Sequence, residues 1–128
     1  MMRTSVDSQE SDQTLSQEGA RGPIRKPIAI TMGDPAGIGP EIILRALARA
    51  PETGLEGPFV VYGCPGWMEA VARRLGLNTG LLEVVPCAEV PEDLPVGQVS
   101  AAGGEAAFQA VYRAAQDAMA GKVRAVVT

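Results

Sequence analysis

The sequence predicts an α/β protein with a mainly parallel sheet and flanking helices. Short β-branched runs recur along the chain, amphipathic runs of helical periodicity separate them, and glycine or proline marks most of the junctions. With 128 residues, 46% of them hydrophobic, and a mean hydropathy of +0.09, the chain can build one domain with a core. Alternating strands and helices favour βαβ units, whose ligand crevice lies beyond the carboxyl ends of the strands.

The chain opens with a polar segment. Residues 1–26 are rich in Ser, Gln, Asp, Glu and Arg, and we expect a disordered tail because they can bury little apolar surface. Residues 27–128 are assigned to the α/β part.

The first strand and helix follow this segment. The run PIAITM at 27–32 predicts a buried strand. Pro40 suits the first turn of a helix, which we expect to reach about Ala50, where Pro51 and Gly54 end the run.

The second unit has the same order. PFVVYG at 58–63 predicts a strand, and GWMEAVARRLGL at 66–77 predicts a helix in which Trp67, Val71 and Leu75 share one face. LLEVV at 81–85 predicts the third strand. A loop is expected over 86–103, with a short extended piece open at Gly97–Ser100.

The last helix and strand complete the pattern. A helix is predicted over 104–120 and capped by Gly121, and VRAVVT at 123–128 predicts the final strand. The apolar face of the helix is expected to consist of Phe108, Val111, Tyr112, Ala115 and Met119.

Charge and composition exclude several classes of protein. The net charge of -4 and pI near 4.8 argue against binding to nucleic acid. No apolar run suits a membrane span or a secretory signal, so we expect a cytoplasmic protein. Cys64 and Cys87 are too far apart for a CxxC pair and are interpreted as buried or incidental thiols. The chain has no histidine, which removes the commonest general base and transition-metal ligand.

The stretch ITMGDPAGIGPEI at 30–42 is the main candidate site. Its glycines permit positive φ or close approach of another group, and free N–H groups at the following helix can hold an anion or a cofactor. The match to G-x-G-x-x-G is incomplete, because Ile42 stands where the third glycine is required. A plain tight strand-to-helix connection is the alternative. The candidate cofactor-binding residues are Gly33, Asp34, Gly37 and Gly39.

Asp34 has two interpretations. Its carboxylate either caps the turn through its own backbone or faces a ligand. Glu41 is interpreted as complementing the helix dipole rather than as a general base.

Two longer segments carry a family resemblance. ITMGDPAGIGPEIILRAL resembles the N-terminal signature of the 4-hydroxythreonine-4-phosphate dehydrogenase family, and GQVSAAGGEAAFQAVYRAAQDAMAGKVRAVVT resembles the segment that leads to that family's T-x-P-x-x-K motif. The resemblance covers residues 27–128. The turn is also similar to the GDGIGPE turn of isocitrate and isopropylmalate dehydrogenases, which implies part of that fold.

The resemblance implies an activity. It is the NAD-dependent, divalent-metal-assisted oxidation and decarboxylation of 4-phosphohydroxy-L-threonine in pyridoxal-phosphate biosynthesis, by a homodimer. Relatives that act on phosphorylated four-carbon sugar acids share the signature, so that substrate class stays open. The family's metal-binding histidines, its His-Thr pair and its phosphate-binding basic residues lie beyond Thr128, so no catalytic or metal residue is assigned. We therefore expect an N-terminal fragment that is inactive alone.

A non-catalytic role is the alternative from another class. The absence of histidine and of the later motifs also fits a truncated remnant. Such a chain would bind an anion at the Gly37–Pro40 turn or associate with a partner subunit through exposed sheet.

Overall fold

The computed structural model describes residues 25–78, 80 and 82–128. The predicted tail, residues 1–26, lies outside the described residues except for Arg25 and Lys26. Both of these are exposed, and the Lys26 carbonyl accepts a 2.8 Å hydrogen bond from the Arg124 side chain.

Four parallel strands form the sheet of the described part of the chain. They are β1 (Ile28–Thr31), β2 (Phe59–Gly63), β3 (Val84–Pro86) and β4 (Ala125–Val127), in the spatial order β3-β2-β1-β4. In the register, Ala29 of β1 lies between Val60 of β2 and Val126 of β4. The predicted α/β class with a parallel sheet is confirmed.

Helices cover both faces of this sheet. They are α1 (Gly39–Ala48), the single turn α2 (Ala50–Thr53), α3 (Pro65–Leu75) and α4 (Ala101–Met119). Alternation along β2 separates two cores: Val61 packs with α1 and α3, whereas Val60 and Tyr62 pack with α4. The sheet is therefore wound in both directions from β1, with α1 and α3 on one face and α4 on the other.

The apolar residues predicted to recur along α4 lie on the helix, but they do not face the sheet. Phe108 is 57% exposed and Met119 is 91% exposed, and Val111 and Tyr112 also face outward. The residues that meet the sheet are small, apart from one acid: Gly103, Ala106, Ala110, Ala114 and Asp117. Small side chains let the helix backbone approach the strands closely, and the periodicity of the large apolar residues cannot reveal which face does so.

Several boundaries also differ from the prediction. Helix α4 begins at Ala101 rather than Gly104, because the Ser100 hydroxyl accepts a 3.0 Å hydrogen bond from the Gly103 N–H and caps the helix. Pro51 does not end the helical region, since it occupies the first turn of α2. The third strand starts at Val84, and Gly97–Ser100 forms no strand.

Candidate functional site

The carboxyl ends of β1 and β4 define the candidate crevice. The chain winds from β1 through β2 to β3 in one direction, and then crosses back through α4 to place β4 on the other side of β1. The strand order therefore reverses between β1 and β4. In open α/β sheets ligands bind at such a reversal, beyond the carboxyl ends of the strands. The glycine-rich turn lies at this point, directly after β1.

The turn is held by its own backbone and by Asp34. Asp34 Oδ1 accepts a 2.8 Å hydrogen bond from the Ala36 N–H, and the Asp34 carbonyl accepts a 2.9 Å hydrogen bond from the Gly37 N–H. Gly33 has φ of 78°, a conformation that costs glycine little. These bonds form a tight turn in which the Asp34 side chain replaces a backbone acceptor.

Gly39 allows the helix to start close to the strand. A Cβ at Gly39 would overlap the carbonyl oxygen of Met32, so a larger residue cannot occupy this position without displacing backbone. Helix α1 has no side-chain cap at Ile38, and Pro40 follows in its first turn. Helix α1 thus begins beside the crevice with no side-chain cap hydrogen bond at Ile38, and backbone N–H groups at such a helix start can bind an anion.

Asp34 also contacts α4. A Cβ at Gly103 would overlap the Asp34 carboxylate, so that carboxylate lies against the first turn of α4. A negative charge is favourable at a helix N-terminus. These contacts support the capping interpretation of Asp34, and its contact with a cofactor stays a prediction, as it does for Gly33, Gly37 and Gly39.

Two hydroxyl groups meet at the point where the strand order reverses. The buried Thr31 hydroxyl at the end of β1 donates a 2.7 Å hydrogen bond to the Thr128 hydroxyl just beyond β4. Sequence analysis did not single out Thr31. The available signal was a β-branched polar residue inside an otherwise apolar strand, immediately before the glycine-rich turn.

The loop before α4 borders the turn. The Gly97 N–H donates a 2.7 Å hydrogen bond to the Ala36 carbonyl, and Leu94 is buried in the α1–α3 core. Ile38 and Val96 stay exposed beside this contact. The loop thereby fixes the outer side of the turn and leaves apolar side chains at the rim of the crevice.

The described residues do not assemble a metal site. No group of three or more Cys, Asp or Glu side chains comes together among them. Cys64 and Cys87 are free thiols, and burial raises the pKa of Cys64 to about 11. Burial raises the pKa of Cys87 as well. Both thiols are therefore protonated near neutral pH, in agreement with the interpretation of incidental thiols.

The outer surface of the chain gives two further results. Glu41, in the first turn of α1, forms an exposed ion pair with Arg45 at 2.9 Å, and its role at the helix dipole stays a prediction. Among the described helices, none is both long and apolar enough to cross a bilayer.

The fold and the turn define a class: a doubly wound α/β protein whose strand-to-helix turn opens on a crevice where the strand order reverses. No protein-family model matches the chain. Curated relatives do match. D-threonate 4-phosphate dehydrogenase of Salmonella typhimurium is 40% identical over 121 residues, covering 80% of this chain and 36% of the relative. The 4-hydroxythreonine-4-phosphate dehydrogenase of Methylorubrum extorquens is 47% identical over 74 residues, covering 56% of this chain and 21% of the relative.

A solved structure agrees with these relatives. A 4-hydroxythreonine-4-phosphate dehydrogenase from Burkholderia phymatum superposes with a TM-score of 0.73 at 30% identity, covering 81% of this chain and 36% of that one. The chain is homologous to part of the 4-hydroxythreonine-4-phosphate and D-threonate 4-phosphate dehydrogenases, which confirms the resemblance seen in the opening motif. It spans 36% of the length of the Salmonella relative.

Proposed function

We propose that this chain forms part of an NAD-dependent, divalent-metal-assisted dehydrogenase of a phosphorylated hydroxy acid. The substrate of the first candidate function is 4-phosphohydroxy-L-threonine, in pyridoxal-phosphate biosynthesis. Homology to dehydrogenases whose names specify phosphorylated substrates carries the proposal. The proposed enzyme is cytoplasmic, works as a homodimer and has no nucleic-acid partner.

The glycine-rich turn fits an anionic part of a cofactor or substrate. Gly39 brings the start of α1 against the Met32 carbonyl, and the N-terminus of α1 carries no side-chain cap. The partial positive charge of that helix end attracts phosphate, and N–H groups there can donate to it. In this proposal Gly33, Asp34, Gly37 and Gly39 shape the cofactor-binding turn, with Asp34 holding it in place. NAD, when bound, accepts the hydride.

The residues of this chain do not fit the metal. The described part of the chain gathers no set of three ligating side chains, and the sequence has no histidine. No step is therefore assigned to a metal held by this chain. We propose that the 128 residues alone do not turn over substrate, because they span only about a third of the relatives' length.

A second substrate is favoured by a specific observation. Over the same 80% of this chain, D-threonate 4-phosphate dehydrogenase of Salmonella typhimurium is 40% identical, whereas 4-hydroxythreonine-4-phosphate dehydrogenase of Beijerinckia indica is 35% identical. D-threonate 4-phosphate is a phosphorylated four-carbon sugar acid, the alternative class that the signature left open. The third candidate is a non-catalytic remnant that binds an anion at the α1 turn or a partner subunit.

A chimaera tests the catalytic proposal. Residues 27–128 replace the matching segment of the Salmonella typhimurium relative, and NAD reduction is followed with D-threonate 4-phosphate and with 4-phosphohydroxy-L-threonine. We expect metal-dependent reduction, and the ratio of kcat/KM for the two compounds identifies the preferred substrate. The 128-residue chain, assayed in parallel, is expected to show no reduction.

The alternative outcomes are distinct. A chimaera that has the circular dichroism spectrum and mass of the parent but reduces no NAD contradicts the catalytic proposal and supports the remnant. Gly39→Ala in the chimaera should abolish activity, whereas Gly66→Ala should not, because a Cβ at Gly66 meets no atom within 4 Å. Equal activity of these two variants would contradict the role given to the turn.

A further inference from the structure

Thr31 and Thr128 occupy matching positions on neighbouring parallel strands. The register pairs Ile30 with Val127, so Thr31 and Thr128 form the next pair toward the carboxyl ends of β1 and β4. Side chains at matching positions of neighbouring strands point to the same face of the sheet. This placement brings the two hydroxyl oxygens to 2.7 Å from each other. The pair lies where the strand order reverses, which is the position of the candidate crevice.

The two threonines differ in their exposure. Thr31 is 7% exposed and belongs to β1, an inner strand between β2 and β4. Thr128 is exposed and lies just beyond the carboxyl end of β4. Ligands of open α/β sheets bind at that end of the strands. Thr128 is therefore the member of the pair that a ligand in the crevice can contact, whereas Thr31 is largely shielded.

The direction of the hydrogen bond leaves one proton free. A threonine hydroxyl can donate one hydrogen bond and accept two. Thr31 donates its proton to the Thr128 hydroxyl oxygen, so the Thr128 hydroxyl retains its own proton for another acceptor. Accepting this bond makes the Thr128 hydroxyl a stronger donor, because successive hydrogen bonds polarise one another. The pair thus presents a single oriented donor at the crevice.

The fold by itself does not require a hydroxyl at position 31. The net contribution of a hydrogen bond to stability is modest, because folding exchanges a bond to water for a bond within the protein. A valine side chain has nearly the same shape as threonine, suits a strand and needs no hydrogen-bond partner. A role in orienting Thr128 accounts for the buried hydroxyl of Thr31 where packing does not.

We infer that the Thr128 hydroxyl donates a hydrogen bond to an oxygen of the bound substrate or of NAD, and that Thr31 is the positioning residue that orients it. The inference rests on the proposed function. Both compounds carry phosphate oxygens, which are strong acceptors, so one donor suits either of them. The dissociation constants of the two compounds distinguish these sources. Thr31 acts through Thr128 and does not itself contact the ligand.

Calorimetric titration of the chimaera, with divalent metal present, tests this inference. The dissociation constants of NAD and of each phosphorylated compound are measured separately for the parent and for Thr31→Val, Thr31→Ser and Thr128→Val. Thr31→Val and Thr128→Val should both weaken the binding of the same compound about tenfold, as expected for the loss of one hydrogen bond. Thr31→Ser keeps the hydroxyl and should bind as the parent does.

A double-mutant cycle separates positioning from an independent structural role. If Thr31 acts through Thr128, Thr31→Val adds no further loss of affinity to Thr128→Val, because the hydroxyl that it orients is already absent. Additive losses contradict the inference, and so does unchanged binding of every compound in both single variants.

Thr53→Val is the matched control. The Thr53 hydroxyl bonds to the Arg49 and Ala50 carbonyls, at the end of α1 that is remote from the glycine-rich turn. This variant should bind every compound as the parent does. A loss of affinity equal to that of Thr31→Val would contradict a specific role for Thr31.

Two further measurements distinguish the possible failures. Urea unfolding of the 128-residue chain should give similar midpoints for the parent, Thr31→Val and Thr128→Val. A large fall in the midpoint of Thr31→Val would assign Thr31 a structural role and contradict the inference. A chimaera that binds the compounds but reduces no NAD contradicts the proposed function alone, because the dissociation constants still test the positioning role. A folded chimaera that binds none of the compounds contradicts both.

Discussion

The Tyr62 hydroxyl donates a 2.7 Å hydrogen bond to the buried Asp117 carboxylate. This bond links β2 to α4 within the core that lies between the sheet and that helix. Arg113 and Lys122 lie 3.5 and 3.9 Å from the other carboxylate oxygen. The Tyr62 hydrogen bond is the main cause that lowers the pKa of Asp117. Since the remaining inner face of α4 consists of small residues, this polar contact fixes where the helix lies on the sheet.

Removing the Tyr62 hydroxyl should destabilise the fold. Tyr62→Phe keeps the ring but leaves the Asp117 carboxylate without its closest donor, and we expect a loss of about 1–3 kcal/mol in the free energy of unfolding. Urea unfolding measures this loss. Tyr112→Phe is the control, since this exposed hydroxyl should contribute within about 0.5 kcal/mol. Equal effects at the two positions would contradict a special role for the buried contact.

Stability should fall at both ends of the pH range. Burial and Asp117 raise the pKa of Tyr62 from 10.0 to about 12, so its contribution is complete below pH 10.0 and is lost as the pH rises toward 12. The loss amounts to about 2–3 kcal/mol. The pKa of Asp117 is lowered, so its contribution is complete above its ordinary value of 3.8 and is lost on acidification through the lower pKa.

The Tyr62→Phe variant tests whether Tyr62 causes the loss of stability at alkaline pH. Cys64, whose pKa is raised from 9.0 to about 11, contributes in the same direction. Urea unfolding across the alkaline range should therefore show a smaller pH dependence in Tyr62→Phe, but not its complete absence. An unchanged alkaline profile in that variant would show that Tyr62 is not the titrating group.

Position 39 should not accommodate any side chain larger than that of glycine. Gly39→Ala places a Cβ onto the Met32 carbonyl oxygen, which is backbone and cannot rotate away, so we expect a loss of about 1–3 kcal/mol in the free energy of unfolding. Thermal unfolding checks this value. Gly66→Ala in α3 should be neutral or stabilising by up to about 1 kcal/mol, because an open helical glycine gains from alanine. Similar effects for both variants would contradict the close approach at Gly39.

The fold should tolerate loss of the Asp34 charge better than loss of the Asp34 Oδ1 acceptor. Asp34→Asn retains an acceptor for the Ala36 N–H, whereas Asp34→Ala removes it, at an expected loss of about 1 kcal/mol. Urea unfolding compares the two variants. If the carboxylate faces a ligand instead, Asp34→Asn should impair the chimaera's NAD reduction as strongly as Asp34→Ala, with stability unchanged.

Hydrophobic periodicity and the positions of proline and glycine were sufficient to predict the alternation of strands and helices. β-branched runs at 27–32 and 58–63 and the positions of Pro40 and Gly121 lie within or beside the observed strands and helices. These signals are local: strand residues need a pleated buried surface, and proline or glycine acts on its own backbone. The family resemblance also rested on short, contiguous sequence motifs. Assignment of the cofactor turn stays a prediction.

What the sequence determined by itself was the set of elements and the presence of a glycine-constrained turn before α1. Tertiary structure decided which face of α4 is buried, since close approach to the sheet selects small residues and leaves Phe108 and Met119 outside. It also decided that Tyr62 meets Asp117 and that Thr31 meets Thr128, pairs separated by 55 and 97 positions. Contacts of this range depend on strand order, and local periodicity contains no information about strand order.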